Sequence, residues 1–136
     1  MLKRLTAVFF LLFALPALAG RLATLSDPPP IQVPDGFTLE QVTKSIIAGM
    51  EKRHWTVEST KPGEIVAVQS PRDLVVKVRI AYDTKTITIT YLDSTNFLYQ
   101  ENGGVREIHE KYNAWVANLA RDIQGALQVV VLLNHH

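Results

Sequence analysis

The sequence predicts an α+β fold, a two-layer sandwich in which two helices cover one face of a four-stranded antiparallel meander in the order α-β-β-β-β-α. Three observations lead to this prediction. Apolar residues follow a helical period near both ends of the chain, an alternating period occupies the middle, and short turn sequences separate the alternating segments.

The first helix is predicted from a start signal and an apolar stripe. Thr38 and Gln41 have the spacing of a capping box, in which each side chain bonds the other's backbone N–H. Apolar residues then recur at helical spacing at Leu39, Val42, Ile46 and Met50. Gly49 lies beside this stripe, where it either permits close approach of another element or is merely tolerated.

Four strands are predicted in the middle of the chain, at HWTVEST, EIVAVQS, LVVKVRIAYD and TITITYL. Lys-Pro-Gly, Ser-Pro-Arg-Asp and Asp-Thr-Lys separate them, and such short turns favour an antiparallel meander. In the third strand one face is apolar, formed by Leu74, Val76, Val78, Ile80 and Tyr82. The sheet therefore has one dry face for the helices to cover.

The second helix is predicted from about Val105 to Leu127, with its first residue anywhere from Gly104 to His109. One arc of this helix carries Ile108, Tyr112, Trp115, Leu119 and Ile123. Tyr112 and Trp115 are therefore expected to be core residues.

The remaining segments divide the chain further. Residues 1–19 have the basic start, apolar run and Ala-Leu-Ala cleavage site of a secretory signal. Residues 20–36 contain four prolines and are predicted to be an extended tether before a single domain at 37–127. Residues 128–136 form a hydrophobic tail that extends the last helix, adds an edge strand or docks on a partner.

Composition restricts the function classes. Cysteine is absent, which excludes disulfides and thiol chemistry. The net charge is +1, and Lys3 and Arg4 would leave with the signal, so 12 basic residues would face 13 acidic ones. No nucleic-acid partner is expected from such a balance.

Cleavage of the signal would give a soluble periplasmic protein without a membrane span. If the signal stayed uncleaved, its apolar run would tether the domain to the inner membrane. The oligomeric state is not predicted.

Polar side chains cluster near the end of the fourth strand and the start of the last helix. We take them as a candidate surface for a partner or ligand: Asp93, Ser94, Asn96, Tyr99, His109 and Asn113. Because His109 and Asn113 are four residues apart, they are expected to project together from the predicted helix.

Catalytic and metal sites have little support in the sequence. Ser94 and His109 are residue types of a hydrolase triad, but no Gly-x-Ser-x-Gly elbow or oxyanion loop accompanies them. His54 and His109 lie on different elements, and no His-Glu-x-x-His motif is present. No cofactor or metal is expected.

Two linked motifs carry a resemblance. Asp93-Ser94-x-Asn96-x-x-Tyr99 followed by Ile108-His109-x-x-Tyr112-Asn113-x-Trp115 resembles a family of small, uncharacterised proteobacterial envelope proteins, many of them lipoproteins. The likeness covers residues 37–125 and implies no established activity. Arg21 stands where the lipidated cysteine of a lipobox would be, so acyl anchoring at this position is excluded.

Three hypotheses follow for the polar cluster. It binds an envelope protein, glycan or small ligand without catalysis; it only fixes the last helix to the sheet, with function elsewhere; or, least supported, it is a small hydrolase site using Ser94 and His109.

Overall fold

The structure is a computed structural model that describes residues 21–134. The predicted signal peptide at residues 1–19 lies outside the described residues, as do His135 and His136. In chain order the elements are β1 (Leu22–Thr24), β2 (Ile31–Gln32), α1 (Leu39–Glu51), β3 (Thr56–Lys61), β4 (Glu64–Gln69), β5 (Val75–Tyr82), β6 (Thr86–Thr95), β7 (Gln100–Asn102), β8 (Val105–His109) and α2 (Lys111–Asn134).

The α+β class is confirmed, but a single four-stranded meander is wrong. The four predicted strands pair as β6-β5-β4-β3, and β2 joins the outer edge of β6 to make a five-stranded antiparallel sheet. A second sheet has three strands in the order β1-β8-β7. The additional strands are two to five residues long, too short for an alternating period to be recognised in the sequence.

Residues 21–33, which we call the N-terminal strap, pair with both sheets. Leu22 lies opposite His109 in β8, and Ile31 lies opposite Ile87 in β6. The predicted tether is therefore extended, but it is paired and its Ile31 side chain is buried. The physical reason is that the extended backbone favoured by a proline-rich segment is also the backbone that strand pairing needs.

Helix α1 begins as the capping box predicts. The Gln41 backbone N–H donates to Thr38 Oγ1 at 3.1 Å, and the Thr38 backbone N–H donates to Gln41 Oε1 at 3.0 Å. The apolar stripe is buried at Val42, Ile46 and Met50, while Leu39 remains exposed.

Helix α2 begins at Lys111, after every start that the sequence favours. Val105–His109 instead forms β8, which turns back on β7 through Gly103 and Gly104, both with positive φ. Pairing with β1 and β7 overrides the helical pattern of this stretch. The tail extends the helix as far as Asn134, which is the first of the three alternatives for that segment.

Both helices and the five-stranded sheet contribute to one apolar core. Tyr112 is fully buried, and Trp115 is half-buried against the core, in agreement with the prediction for these aromatics. Helix α2 has the length and composition of a membrane-spanning helix. Its stripe at Val116, Leu119 and Ile123 is buried, so this face of α2 packs in the core of the domain.

The turn between β5 and β6 carries a carboxylate that bonds the backbone. Asp83 Oδ1 accepts from the N–H of Lys85 at 2.7 Å and of Thr86 at 2.8 Å. These donors, Thr86 first, hold the pKa of Asp83 below its ordinary value of 3.8. Because the pKa is lowered in the folded state, the bonds stabilise the turn above the ordinary pKa, and this stabilisation is lost as pH falls through the lower value. A carboxyl NMR titration should give an Asp83 midpoint below 3.8; a midpoint at or above that value would contradict the assignment.

Candidate functional site

The six candidate residues lie where β6, β8 and α2 meet, but they do not form one surface. Asp93 and Ser94 are among the last residues of strand β6, and Asn96 and Tyr99 are in the loop after it. The expected helical juxtaposition of His109 with Asn113 is wrong, because His109 ends β8 and Asn113 lies in the first turn of α2.

Three tyrosines form an aromatic cluster beside β6. The rings of Tyr91 and Tyr99 stack with centroids 4.6 Å apart, and Tyr112 meets Tyr91 edge-on at 5.5 Å. Ser94 Oγ lies 2.7 Å from the Tyr91 hydroxyl, so this serine is engaged with a tyrosine. Ser94 and Tyr99 therefore support the aromatic cluster.

Asp27 of the strap organises this cluster, and sequence reasoning missed it. The Tyr112 hydroxyl donates to Asp27 Oδ1 at 2.6 Å, and the Tyr91 backbone N–H donates to Asp27 Oδ2 at 3.2 Å. Burial, and then the bond to Asp27, raise the pKa of Tyr112 well above its ordinary value of 10, so the hydroxyl remains a proton donor. A lone aspartate before three prolines gave no sequence signal for this contact.

Asn113 clamps the strap to α2. Its side-chain Nδ2 donates to the Thr24 carbonyl at 3.0 Å, and its Oδ1 accepts from the Ser26 backbone N–H at 2.9 Å. The amide thus pairs with the strap as a neighbouring strand would. This geometry supports an architectural role for Asn113.

The loop from Asn96 to Leu98 has an unusual backbone. Asn96 has φ of 63° and its side-chain Nδ2 donates to the Asp73 carbonyl at 2.8 Å, while Leu98 has φ of 62°. Asparagine tolerates the left-handed region, but leucine there is uncommon. The loop buries Phe97 and leaves the Leu98 side chain 46% exposed.

His109 joins this loop to the start of α2. Its backbone N–H donates to the Phe97 carbonyl at 2.8 Å, and its Nδ1 accepts from the Lys111 backbone N–H at 3.1 Å. The imidazole therefore bonds a backbone donor of the first helical turn. Among the described residues, no hydrogen bond joins His109 to Ser94.

A cavity of about 300 Å³ opens at this junction. We call it the β6–α2 notch; it is lined by Arg21, Leu74, Asn96, Phe97, Leu98, His109 and Lys111. Asn96 and His109 are the candidate residues that the notch unites, whereas Asp93, Ser94, Tyr99 and Asn113 lie outside its lining.

The charged side chains that line the notch are cationic. Arg21 and Lys111 are cationic, and the lining contains no acidic side chain. Neither cation forms an ion pair with another residue in the range 21–134. Leu74 and Phe97 supply apolar wall, so the notch can accept an anionic group attached to an apolar one.

The described part of the chain contains no group of three or more histidine, aspartate or glutamate side chains arranged to hold a metal ion. Comparison of the chain with protein-family models, with curated proteins and with solved structures found no match.

Proposed function

We propose that this protein is an exported, non-enzymatic module that binds an acidic, partly apolar segment of an envelope protein in the β6–α2 notch. The observation that carries the proposal is the pair of cations, Arg21 and Lys111, that line one cavity without a carboxylate. An incoming carboxylate would gain charge-assisted hydrogen bonds from both, and a guanidinium can bind it through two parallel N–H groups.

The apolar part of the partner is inferred from Leu98. A leucine in the left-handed region costs about 1 to 2 kcal/mol relative to an ordinary backbone conformation. Its side chain is nonetheless exposed at the notch. Residues with strained backbone conformations concentrate at active sites, ligand clamps and switch regions. Leu98 together with the half-buried Leu74 would contact an apolar side chain next to the bound carboxylate.

The place of action rests on the N-terminus. The signal-like residues 1–19 support export, and Arg21 at the lipobox position supports a periplasmic product that is not acylated there. The resemblance to proteobacterial envelope proteins agrees with this location. An uncleaved signal would place the same domain at the inner membrane, with the notch near the tether because Arg21 lines it.

Three of the candidate residues hold the joint between β6, the strap and α2. Asn113 and Asn96 bond backbone groups and hold the joint, while His109 sets the first turn of α2 beside the notch. The architectural hypothesis therefore accounts for part of the cluster. The partner would bind the β6–α2 notch, which lies at this joint.

Replacing Leu98 with glycine tests the proposal, because it should separate folding from binding. Glycine adopts positive φ without strain, so the free energy of unfolding should stay unchanged or rise by about 1 kcal/mol. The partner signal in a pull-down from bacterial envelope extract should fall at the same time. Val57→Thr, at an exposed apolar position on β3, is the matched control and should leave the pull-down unchanged.

A double variant, Arg21→Gln with Lys111→Gln, should weaken the signal of the same partner in the pull-down. Any partner protein still bound should be insensitive to salt concentration. Identical partner profiles for the wild type, Leu98→Gly and the double variant would exclude the notch. Turnover of a generic ester that disappears in His109→Ala would overturn the non-enzymatic assignment.

A further inference from the structure

Helices α1 and α2 touch closely at one point and separate beside it. A Cβ added to Gly49 would lie 2.7 Å from the Ile123 backbone nitrogen, so the two helices are in backbone contact there. Beside this contact lies a cavity of about 450 Å³, which we call the α1–α2 groove. It is distinct from the β6–α2 notch, since no residue lines both.

The groove has two different ends. Arg53 Nε contacts Asp122 Oδ2 at 3.0 Å, which places the C-terminal end of α1 beside the middle of α2. Lys52 and Arg121 therefore lie at one end, and Lys44 and Val129 lie at the other. Val129 lies eight positions after Arg121 on the helix, a distance of about 12 Å along the axis.

The first end is cationic. Asp122 is the acidic residue in the groove lining, and Arg53 already neutralises it. Lys52 and Arg121 form no ion pair with any other residue of the described chain. An anion at this end would therefore meet two available cations.

The floor is apolar, and the second end joins apolar side chains to Lys44, whose Nζ is paired with Glu40 Oε1 at 3.1 Å. Small residues at Ala48, Gly125 and Ala126 give the groove its depth. Val129 is exposed, and Leu132 and Leu133 beyond it are 62% and 69% exposed. Because these positions follow Gly125 at steps of three and four residues, they continue the same face of α2.

We propose that the α1–α2 groove binds one anionic single-chain amphiphile, a long-chain carboxylate. Its head group would contact Lys52 and Arg121, and its chain would lie over Gly125 towards Val129. The volume is in the range of small-molecule sites, roughly 300 to 1,000 Å³. The unpaired cations Lys52 and Arg121 are separated from the apolar surface along one axis, as the head group and chain are within such a molecule.

Two other occupants fit less well. A second copy docked antiparallel would place the cations of each chain against the apolar end of the other, and burying unpaired charge is unfavourable. A bilayer surface needs available cations and apolar side chains at neighbouring depths along one face. Here Lys44, the cation beside the apolar end, is paired with Glu40, and the unpaired cations are displaced along the groove. The groove geometry therefore favours a single bound molecule.

Calorimetric titration with dodecanoate below its micellar concentration tests the proposal. Saturable binding of one molecule per chain is expected, with dodecanol and dodecyltrimethylammonium binding at least about tenfold more weakly. Gly125→Leu should reduce dodecanoate affinity by about tenfold or more, because it fills the groove where an added Cβ meets nothing within 4 Å. Gln124→Leu adds the same side chain to α2 outside the groove lining and should bind as the wild type does.

The double variant Lys52→Gln with Arg121→Gln provides a second test that leaves the apolar floor intact. It should lower the affinity for dodecanoate to that for dodecanol. No saturable binding, equal affinity for all three probes, or unchanged binding by Gly125→Leu with a native circular dichroism spectrum would overturn the proposal. Binding only to vesicles of phosphatidylcholine and phosphatidylglycerol, or only to a glutamate-flanked apolar peptide, would overturn it as well.

Discussion

Replacing Asp27 with alanine is expected to lower the free energy of unfolding by about 3 kcal/mol. The substitution removes the acceptor of the buried Tyr112 hydroxyl and of the Tyr91 backbone N–H. A buried donor left without a partner costs about 1 to 3 kcal/mol, and here two donors lose theirs. Urea denaturation followed by circular dichroism would measure the loss.

Two comparisons make this result specific to the contact. Asp35→Ala changes an exposed carboxylate just beyond the strap and should alter stability by less than about 0.5 kcal/mol. Tyr112→Phe removes the other half of the bond, so the double variant should lose less than the sum of the single losses. Strictly additive losses would show that the 2.6 Å contact between Tyr112 and Asp27 is not an energetic link.

The same contact has a signature at alkaline pH. The pKa of Tyr112 is raised in the folded state, first by burial and then by the neighbouring Asp27. Because the pKa of this tyrosine is lower in the unfolded chain, the unfolded chain releases the proton first as pH rises. The stabilisation that the Tyr112 contact provides is therefore present below the ordinary pKa near 10 and falls as pH rises above it. Tyr112→Phe should reduce the loss of folding stability at alkaline pH.

The parts of the fold that the sequence predicts are those that depend on neighbouring residues. The Thr38 capping box is complete within four positions, and the alternating stripe of β5 shows which of its faces is dry. Such patterns survive because local hydrogen bonding and periodic burial both favour the same conformation. The helices and the β3–β6 meander were therefore within reach of sequence reasoning.

The parts that were missed depend on residues distant in the chain. The strap becomes two strands only because β8 and β6 lie beside it, with Leu22 opposite His109 and Ile31 opposite Ile87. The helical pattern of Val105–His109 gives way for the same reason. No local period encodes these pairings, and four prolines predict an extended backbone without indicating a partner strand.

The candidate site also combines features set by sequence neighbours with features set by residues distant in the chain. Residue type, helical spacing and a shared motif indicate His109 and Asn113 as candidates, but the role of Asn113 depends on the strap, which its side chain bonds at Thr24. Arg21 and Lys111 were missed because the notch gathers its lining from four separate chain segments. A cavity assembled in this manner leaves no spacing to recognise. Within the lining, Asn96-Phe97-Leu98 and His109 are the parts that fall within the two motifs of the sequence.

Gly49→Ala is expected to destabilise the protein by about 2 kcal/mol, although alanine is the better helix former. The new Cβ would lie 2.7 Å from the Ile123 Cγ1 atom and backbone nitrogen, and 2.8 Å from its Cα. A side chain can rotate away, but the backbone of α2 cannot move without disturbing the core around Ile123. Overpacking of this kind costs about 3 kcal/mol and outweighs a helix-propensity gain of about 1 kcal/mol.

Gly125→Ala supplies the matched control, because it makes the same change on the partner helix. An added Cβ there meets nothing within 4 Å, so only the propensity gain remains and stability should rise by about 0.5 to 1 kcal/mol. The two alanine variants should thus shift the urea midpoint in opposite directions. Equal shifts, or stabilisation by Gly49→Ala, would mean that α1 and α2 do not meet at Ile123. The α1–α2 groove would then lose its geometric basis, since its lining residues Ala48 and Asp122 are the chain neighbours of that contact.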